Sequence, residues 1–223
     1  MAGQQITVDT IGRERHMLVT IDDFVADPQA LRREAAAASF VSAGTHYPGI
    51  RAPVPDSYGR EIAPALARVF AGIFGRYGAP ELIDMSFSMV TTPADRLSAK
   101  QSVPHCDAFS ADRFALLHYL TPDDQGGTAF FRHRATGYES VDAARQARFF
   151  AETSREQGGR PSYVRDDTDH YERIALAAPR LNRALIYPSM VLHSGAIAAD
   201  ASLSPDPARG RLTVTGFFTV AAR

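Results

Sequence analysis

The stretch "SVPHCDAF" (residues 102–109) places His105 and Asp107 on either side of Cys106, directly after a proline. In an extended strand, side chains two residues apart leave the same face, about 6.6 Å apart along the chain. His105 and Asp107 can therefore direct an imidazole and a carboxylate at one point, with Cys106 turned away. A lone His-x-Asp pair occurs by chance in many chains, so its meaning depends on further ligands downstream.

A third ligand of a suitable type follows in "YPSMVLHSG" (residues 187–195), where His193 ends an apolar run that reads as a strand. Two histidines and one carboxylate on one face of an iron ion leave three coordination positions open. This is the facial arrangement of non-haem Fe(II) oxygenases. His105, Asp107 and His193 are therefore the candidate metal ligands and the candidate catalytic centre.

Short apolar runs separated by Gly, Pro and Asp surround these residues and predict an antiparallel sheet system from about residue 82 onward. The runs are "LIDMSFSMVT", "FALLHYL", "TAFFRH", "ALIYPSMVLHSG" and "RLTVTGFFTV". Between residues 136 and 179 lies a polar insert, in which we predict a helix over about 141–156.

Helices are predicted mainly before this sheet system. Asp27 and Pro28 have the residue types of an N-cap and a first helical position, and they open "PQALRREAAAASF". A second helix is predicted from about Arg60 to Arg76, where apolar residues recur at helical spacing. We expect one domain over residues 1–223, with a helical flank (1–81) that supports a β core (82–223).

Composition excludes several classes of function. The chain has 223 residues, of which 45% are hydrophobic, and a formal net charge of −1, so it lacks the field of a general nucleic-acid or anionic-membrane binder. Cys106 is the sole cysteine, which rules out an intramolecular disulfide. No apolar segment has the length of a signal peptide core or of a membrane span. We expect a cytoplasmic protein, and Lys100 as the only lysine favours a bacterial source.

Four motifs in this order resemble the 2-oxoglutarate- and Fe(II)-dependent oxygenase superfamily, in particular its prolyl-hydroxylase-like branch. "PHCD" resembles the His-x-Asp ligand pair, and "HYLTPDDQGGTAFF" resembles a Tyr-Leu strand, polar turn, Gly-Gly pair and following strand. "PSMVLHSG" resembles the strand with the distal histidine, and "GRLTVTGFF" resembles the last core strand. The resemblance covers roughly residues 85–220.

The resemblance implies a double-stranded β-helix, a jelly-roll core buttressed by the N-terminal helices, and therefore a mainly β protein of the α+β class. It implies that Fe(II) is the metal and that 2-oxoglutarate is the co-substrate, its far carboxylate bound by Arg211 with Tyr119 and Thr213. With O2, such an enzyme would hydroxylate an unactivated C–H bond of a small molecule or peptide. Related halogenases lack the carboxylate ligand, so Asp107 favours hydroxylation.

Strand alternation gives a check that does not depend on the family. In "RLTVTGFFTV" (residues 211–220), one face is polar and the other apolar. The polar face carries Arg211, Thr213 and Thr215, and the apolar face carries Leu212, Val214, Phe218 and Val220. In "FALLHYL" (residues 114–120), the same counting puts Tyr119 and His118 on opposite faces. The resemblance assigns Tyr119 to the interior, and His118 then faces the helices.

Some positions stay open. Arg209 shares the parity of Arg211, and only the loop composition "SPDPA" before it favours its exposure. "YPGIR" (residues 47–51) fits either the mouth of a substrate site or a simple turn. We expect His133 to be a surface residue and Cys106 to be a packing residue that is vulnerable to oxidation beside iron.

Two other functions fit the same residues. A cupin-like metalloprotein would use the three ligands without 2-oxoglutarate, and a non-catalytic binding module would retain only the jelly-roll. Titration with Fe(II) and 2-oxoglutarate separates the three hypotheses. Substrate identity, the role of the insert and the oligomeric state do not follow from the sequence.

Overall fold

The computed structural model describes residues 3–122, 125–156 and 159–222. Over these ranges the chain forms two antiparallel sheets, with helices packed against the larger one. The strands are β1 (Gln5–Ile11), β2 (His16–Asp22), β3 (Val41–Ser42), β4 (Gly49–Pro53), β5 (Glu81–Val90), β6 (Arg113–Tyr119), β7 (Gly127–His133), β8 (Tyr171–Ala177), β9 (Ala184–Pro188), β10 (His193–Ala196) and β11 (Leu212–Thr219). The α-helices are α1 (Pro28–Ala37), α2 (Asp56–Gly72) and α3 (Gln146–Thr153).

The chain alternates between the two sheets in the way a jelly-roll requires. The larger sheet has the order β1-β2-β9-β6-β11-β5-β4-β3, and the smaller has the order β10-β7-β8. From β6 onward the chain enters the larger sheet, crosses to β7 and β8, returns as β9, crosses again as β10 and returns as β11. The predicted double-stranded β-helix is confirmed.

The N-terminal segment contributes strands as well as the predicted helices. The β1–β2 hairpin extends the larger sheet through the pairing of β2 with β9, and β4 pairs with β5 on the other side. Helix α1 begins at Pro28 as predicted, and the Asp27 carboxylate accepts a hydrogen bond from the Ala30 N–H at 2.8 Å. Helix α2 begins earlier than predicted, at Asp56, because extended Pro55 directly precedes it. None of the helices in the described ranges is long and apolar enough to cross a bilayer.

Residues of the larger sheet point alternately to two different cores. One face packs against α1 and α2. It includes the four apolar residues predicted to share a face, of which the first three lie in β11 and the last follows it: Leu212, Val214, Phe218 and Val220. The opposite face packs towards the smaller sheet, where Tyr119, Phe130 and Tyr187 are buried. The polar residues of β11 lie on this second face, so the candidate site lies between the sheets.

His118 is fully buried on the helix side of the sheet, as the alternation predicted. The backbone N–H and C=O of Val25 both bond the Asn182 side chain, which orients its carbonyl oxygen towards His118. The His118 Nε2 lies 3.1 Å from that oxygen and Nδ1 lies 3.0 Å from the Tyr58 hydroxyl. Nε2–H therefore donates to Asn182, and Nδ1 accepts from Tyr58, so the ring is neutral. Desolvation lowers the pKa of His118 to about 4.

His133 is a correction to the sequence prediction, because it is completely buried rather than on the surface. Its Nε2 lies 2.6 Å from the Glu156 carboxylate and its Nδ1 lies 2.8 Å from the Thr136 hydroxyl. The Phe149 ring of α3 meets the imidazole edge-on at 5.2 Å. The insert folds back over the end of β7 and covers a residue whose sequence neighbours are charged.

We predict that in His118→Gln the free energy of unfolding falls less steeply with decreasing pH than in the wild type. The folded-state pKa of about 4 lies below the ordinary value of 6.5, so the unfolded chain binds the extra proton as the pH falls through this window. The contribution of His118 is therefore present above about pH 6.5 and is lost towards pH 4, by roughly 3 kcal/mol in total. Urea unfolding from pH 8 to pH 4.5 measures this loss. The exposed His46→Gln should keep the wild-type slope, and an unchanged slope in His118→Gln would contradict the assignment.

Candidate active site

The backbones of two candidate ligands pair directly with each other. His105 and His193 form an isolated antiparallel bridge, with N–O distances of 2.9 and 2.8 Å. The Asp107 N–H then donates to the Ser189 carbonyl at 2.8 Å. Residues 105–107 are thus held to residues 189–193 by separate backbone hydrogen bonds. They do not form the regular strand that the sequence suggested.

These backbone bonds bring the three side chains together. The His105 Nε2 lies 3.6 Å from one carboxylate oxygen of Asp107, and the His193 Nε2 lies 3.4 Å from the other. One possible ligand atom from each residue lies within 4.8 Å of both others. Half of the His105 side chain is accessible, at 52%, whereas His193 is at 8%, so the group opens to solvent on the His105 side.

The ring nitrogens of His193 have different surroundings. The His193 Nδ1 lies 3.0 Å from the Val191 carbonyl, which can only accept, so Nδ1 carries a proton and Nε2 is the atom directed at the other two residues. Desolvation, and then the nearby His193, lower the pKa of His105 to about 4. Two imidazoles and one carboxylate are a suitable donor set for Fe(II) with open positions.

A second group of possible ligands is a salt-bridge network instead. Glu14, His16 and Glu139 also bring ligand atoms within 4.8 Å of one another, which the sequence did not suggest for His16. However, Arg145 binds Glu14 at 2.7 Å, and Arg132 binds the fully buried Glu139 through Nε at 2.8 Å. Both carboxylates are therefore already neutralised by arginines.

Arg211 is buried on the inner face of the larger sheet, with only 5% of its surface exposed. Its Nε donates to the Gly126 carbonyl at 3.0 Å and its Nη2 to the Gly127 carbonyl at 3.2 Å. No carboxylate in the described ranges pairs with it. The Arg209 side chain, by contrast, is 81% exposed and contacts Asp206 at 3.7 Å.

Tyr119 and Thr213 lie directly opposite each other on neighbouring strands beside this arginine. The Arg211 guanidinium carbon is 5.5 Å from the centre of the Tyr119 ring. The Tyr119 hydroxyl bonds the Thr128 hydroxyl at 2.7 Å, and the Thr213 hydroxyl donates to the Ser88 carbonyl at 3.2 Å. The structure therefore brings together all three residues that the resemblance assigned to the co-substrate.

Two tyrosines near Arg211 were not assigned to the site from the sequence. Burial raises the pKa of Tyr47, and positive Arg211 partly offsets that rise. Thr213 and Ser88 are near enough to affect this pKa, yet the buried Tyr47 hydroxyl has no hydrogen-bond partner of good geometry in the described part of the chain. Tyr163 comes from the insert and donates to the Thr92 carbonyl at 2.7 Å. "YPGIR" was the sequence signal for Tyr47, whereas no local pattern marked Tyr163.

A cavity of about 290 Å³ adjoins Asp107, the one candidate ligand that lines it. Arg51, Arg113 and Ser189 also line it, whereas Arg211 does not. The site therefore has space for a small molecule next to Asp107, in a cavity that Arg211 does not line.

Cys106 packs against an apolar cluster that includes residues of the smaller sheet, as expected for a small packing residue. Burial, followed by the negative charge of Asp107, raises the pKa of its thiol to about 12. Oxidation proceeds through the thiolate, which this environment disfavours in the metal-free protein. The expected vulnerability of Cys106 to oxidation beside bound iron stays a prediction.

Comparison with known proteins gives one family and several similar folds. A model described as a family of unknown function (DUF6445) matches residues 2–218. No curated protein matches the sequence.

Of three aligned solved structures, the first two, HygX and SnoK, show the shared architecture. HygX from Streptomyces hygroscopicus, with nickel and 2-oxoglutarate bound, aligns with a TM-score of 0.56 and 14% identity over 95% of this chain and 84% of its own. SnoK, a non-heme alpha ketoglutarate dependent carbocyclase from nogalamycin biosynthesis, aligns with a TM-score of 0.50 and 11% identity over 92% and 80%. A Pseudomonas putida prolyl-4-hydroxylase aligns at 0.46 and 14% over 92% and 94%. This chain therefore has the fold of the 2-oxoglutarate- and iron-dependent oxygenases, as the resemblance predicted.

We predict that His105→Ala and His193→Ala each lose Fe(II) binding without unfolding. Removal of a direct ligand should weaken binding by more than the roughly 10- to 100-fold that loss of an outer-shell partner costs. The backbone bridge between the two residues does not need their side chains. Anaerobic Fe(II) titration, with circular dichroism as the folding control, measures the effect. His118→Ala should keep iron and lose stability, and the reverse pattern would show that the ligand set is wrong.

Proposed function

The chain belongs to the family of unknown function DUF6445, and we propose that it is a 2-oxoglutarate- and Fe(II)-dependent dioxygenase. Its reaction would be hydroxylation of an unactivated C–H bond in a small-molecule or peptide substrate. The observation that carries this proposal is a convergent His105, Asp107 and His193 group between the same two sheets that bury Arg211, a cation that pairs with no carboxylate in the described ranges. Neither feature alone indicates 2-oxoglutarate. Together they suit both of its ends, because the metal would bind the keto acid end and Arg211 would bind the far carboxylate.

The three ligands would hold Fe(II) through Nε2 of each histidine and one Asp107 oxygen. Bound Fe(II) and 2-oxoglutarate, with O2, would supply the oxidising chemistry, while the protein supplies binding and orientation. The Nδ1–H bond from His193 to the Val191 carbonyl keeps the imidazole in the tautomer that ligation needs. The backbone bonds of His105 and Asp107 keep the other two donors in place before any ion binds.

Arg211 would bind the far carboxylate of 2-oxoglutarate. A buried guanidinium without a carboxylate partner is costly, and an incoming carboxylate relieves that cost. Two of its N–H groups are fixed by the Gly126 and Gly127 carbonyls, which orients the planar group for a carboxylate. Tyr119 and Thr213 would complete this end of the site, with Tyr47 as a further hydroxyl that has no partner of its own among the described residues.

The similar structures support the assignment to 2-oxoglutarate- and Fe(II)-dependent enzymes. They also include reactions other than hydroxylation. HygX binds 2-oxoglutarate and, in another structure, also hygromycin B, whereas SnoK is a carbocyclase. The presence of Asp107 as a carboxylate ligand favours hydroxylation over halogenation, which needs that coordination position for a halide. We therefore favour a hydroxylase with a small-molecule substrate.

We predict that anaerobic addition of Fe(II) and then 2-oxoglutarate produces the weak visible charge-transfer band of a chelated keto acid. The reason is that the three ligands leave adjacent positions open for a bidentate group. Absorption spectroscopy measures the band, and succinate in place of 2-oxoglutarate is the matched control without a keto group. Iron binding with no band would favour the cupin-like alternative, and binding of neither would favour the non-catalytic module.

We predict that Arg211→Ala weakens 2-oxoglutarate binding while Arg209→Ala leaves it nearly unchanged. Hydrogen bonds to charged groups contribute about 1.5–3 kcal/mol each, and a buried carboxylate left without its partner costs more, so we expect a loss of roughly ten- to several-hundred-fold in affinity. Arg209 is a matched control, because the same substitution removes the same charge from an exposed side chain two positions away. Calorimetric titration of the iron-loaded variants measures both effects. A larger loss in the Arg209 variant would move the carboxylate anchor to that residue.

A further inference from the structure

The cavity beside Asp107 has an unusual excess of positive charge. Besides Asp107, its ionisable lining residues are Arg51, Arg113 and His46. The Arg113 guanidinium makes no ion pair or hydrogen bond with any residue in the described ranges. A cavity wall that carries two arginines and no free carboxylate, once Asp107 ligates a metal, is suited to an anion.

Arg51 is only partly engaged. Its guanidinium carbon lies 4.7 Å from the centre of the Tyr47 ring, and this cation–π contact fixes its plane. Its sole carboxylate contact in the part of the chain that is described is a long one, 3.4 Å from Nη1 to half-exposed Asp84. Its Nε is buried and has no acceptor among the described residues. The Nε itself is enclosed by protein, but 27% of the Arg51 side chain is accessible, so the rest of this guanidinium can meet a ligand in the cavity.

Ser189 connects this cavity to the metal ligands. Its N–H donates to the Arg113 carbonyl at 2.9 Å, and its own carbonyl accepts from the Asp107 N–H at 2.8 Å. Ser189 is 1% exposed, and its hydroxyl has no hydrogen-bond partner in the described ranges. The cavity floor therefore offers a further unused polar group, held at a fixed distance from Asp107.

The remaining wall is apolar. Ile83, from β5, and Phe217, from β11, line the cavity, and Ile83 is 45% exposed although it is a large hydrophobic residue. A volume of about 290 Å³ accommodates a small molecule or one end of a larger one. The lining of the cavity therefore suits a ligand with an apolar body and one anionic group.

We propose that this cavity is the primary-substrate subsite and that it takes a small organic acid. The anionic group would lie between Arg51 and Arg113, with the apolar part against Ile83 and Phe217 and the carbon to be oxidised near Asp107. This inference rests on the proposed oxygenase function, and it adds the substrate class. Arg51 and Arg113 act here as binding residues for the substrate and not for 2-oxoglutarate.

Pairs of acids and neutral isosteres test the proposal without any substitution. The probes are phenylacetate with phenylacetamide, hexanoate with hexanamide, and phenyl phosphate with phenol. Each is titrated by calorimetry into protein saturated with Fe(II) and 2-oxoglutarate under anaerobic conditions, so that the co-substrate site is filled and no turnover occurs. We expect at least one acid to bind roughly ten- to a hundredfold more tightly than its neutral partner. The phosphate pair shows whether a carboxylate or a phosphate is preferred.

Substitutions then locate the binding. Arg51→Gln and Arg113→Gln should each remove most of the acid preference, and Arg113→Lys should restore part of it. The matched control is Arg209→Gln, which removes the same charge from an exposed side chain outside the cavity. Thermal unfolding of each variant shows whether it is folded. The 2-oxoglutarate affinity of Arg113→Gln should equal that of the wild type, and Arg51→Gln, which also loses a contact with Tyr47, should lose less affinity than Arg211→Ala.

The outcomes separate this inference from the proposed function. Absence of acid preference across all three pairs, or a preference unchanged in both glutamine variants, would overturn the subsite. A loss of 2-oxoglutarate affinity in Arg51→Gln and Arg113→Gln as large as that in Arg211→Ala would assign the arginines to the co-substrate and also overturn it. Failure to bind Fe(II) and 2-oxoglutarate, with the acid preference intact in metal-free protein, would defeat the oxygenase proposal and leave an acid-binding site.

Discussion

The antiparallel bridge between His105 and His193 is the constraint on which the candidate site depends. Each residue donates its N–H to the carbonyl of the other, so the separation of the two imidazoles is set by main-chain geometry. The Asp107 N–H adds a bond to Ser189 on the same opposing segment. Residues that are distant in sequence thereby act as one preformed unit, and ligation requires no folding of the chain around an ion.

The larger sheet allows the site and the core to be built from the same strands. Along β11 and β6, one set of side chains packs against α1 and α2, and the alternate set faces the smaller sheet. His118 and Tyr119 are adjacent in sequence but belong to different environments: the first bonds Tyr58 of α2, and the second lies next to Arg211. A shift of one residue in the register of β6 would exchange them, so the apolar packing on the helix side also fixes the chemistry on the other.

Much of this arrangement follows from local sequence, and the failures have physical reasons. Alternation predicted that Arg211 shares a face with the polar residues of β11, which directly follows it, and the jelly-roll followed from the resemblance of four motifs to the oxygenase superfamily. Strand β1 was not predicted, although Ile6 and Val8 alternate with polar residues in its sequence. Both are exposed in the structure, so this alternation does not mark a buried face. His133 was misjudged because the residues that bury it, such as Phe149 and Glu156, come from a separate part of the insert. Contacts of that kind leave no trace in a short stretch of sequence.

The position of Arg51 near the edge of the larger sheet affects how easily its segment can be replaced in sequence. Arg51 lies on β4, which only the two-residue strand β3 separates from the sheet edge, whereas Arg211 precedes β11 near the sheet's centre. Central strands are constrained by neighbours on both sides, while an edge hairpin can be replaced at small cost to the rest of the sheet. On the proposed assignment, one of the two anion-binding arginines therefore lies in a segment that can be exchanged, while Arg113 on β6 stays with the central strands. Replacing the β3–β4 segment would then change the preference among acids through Arg51 and leave the candidate metal ligands and Arg211 in place.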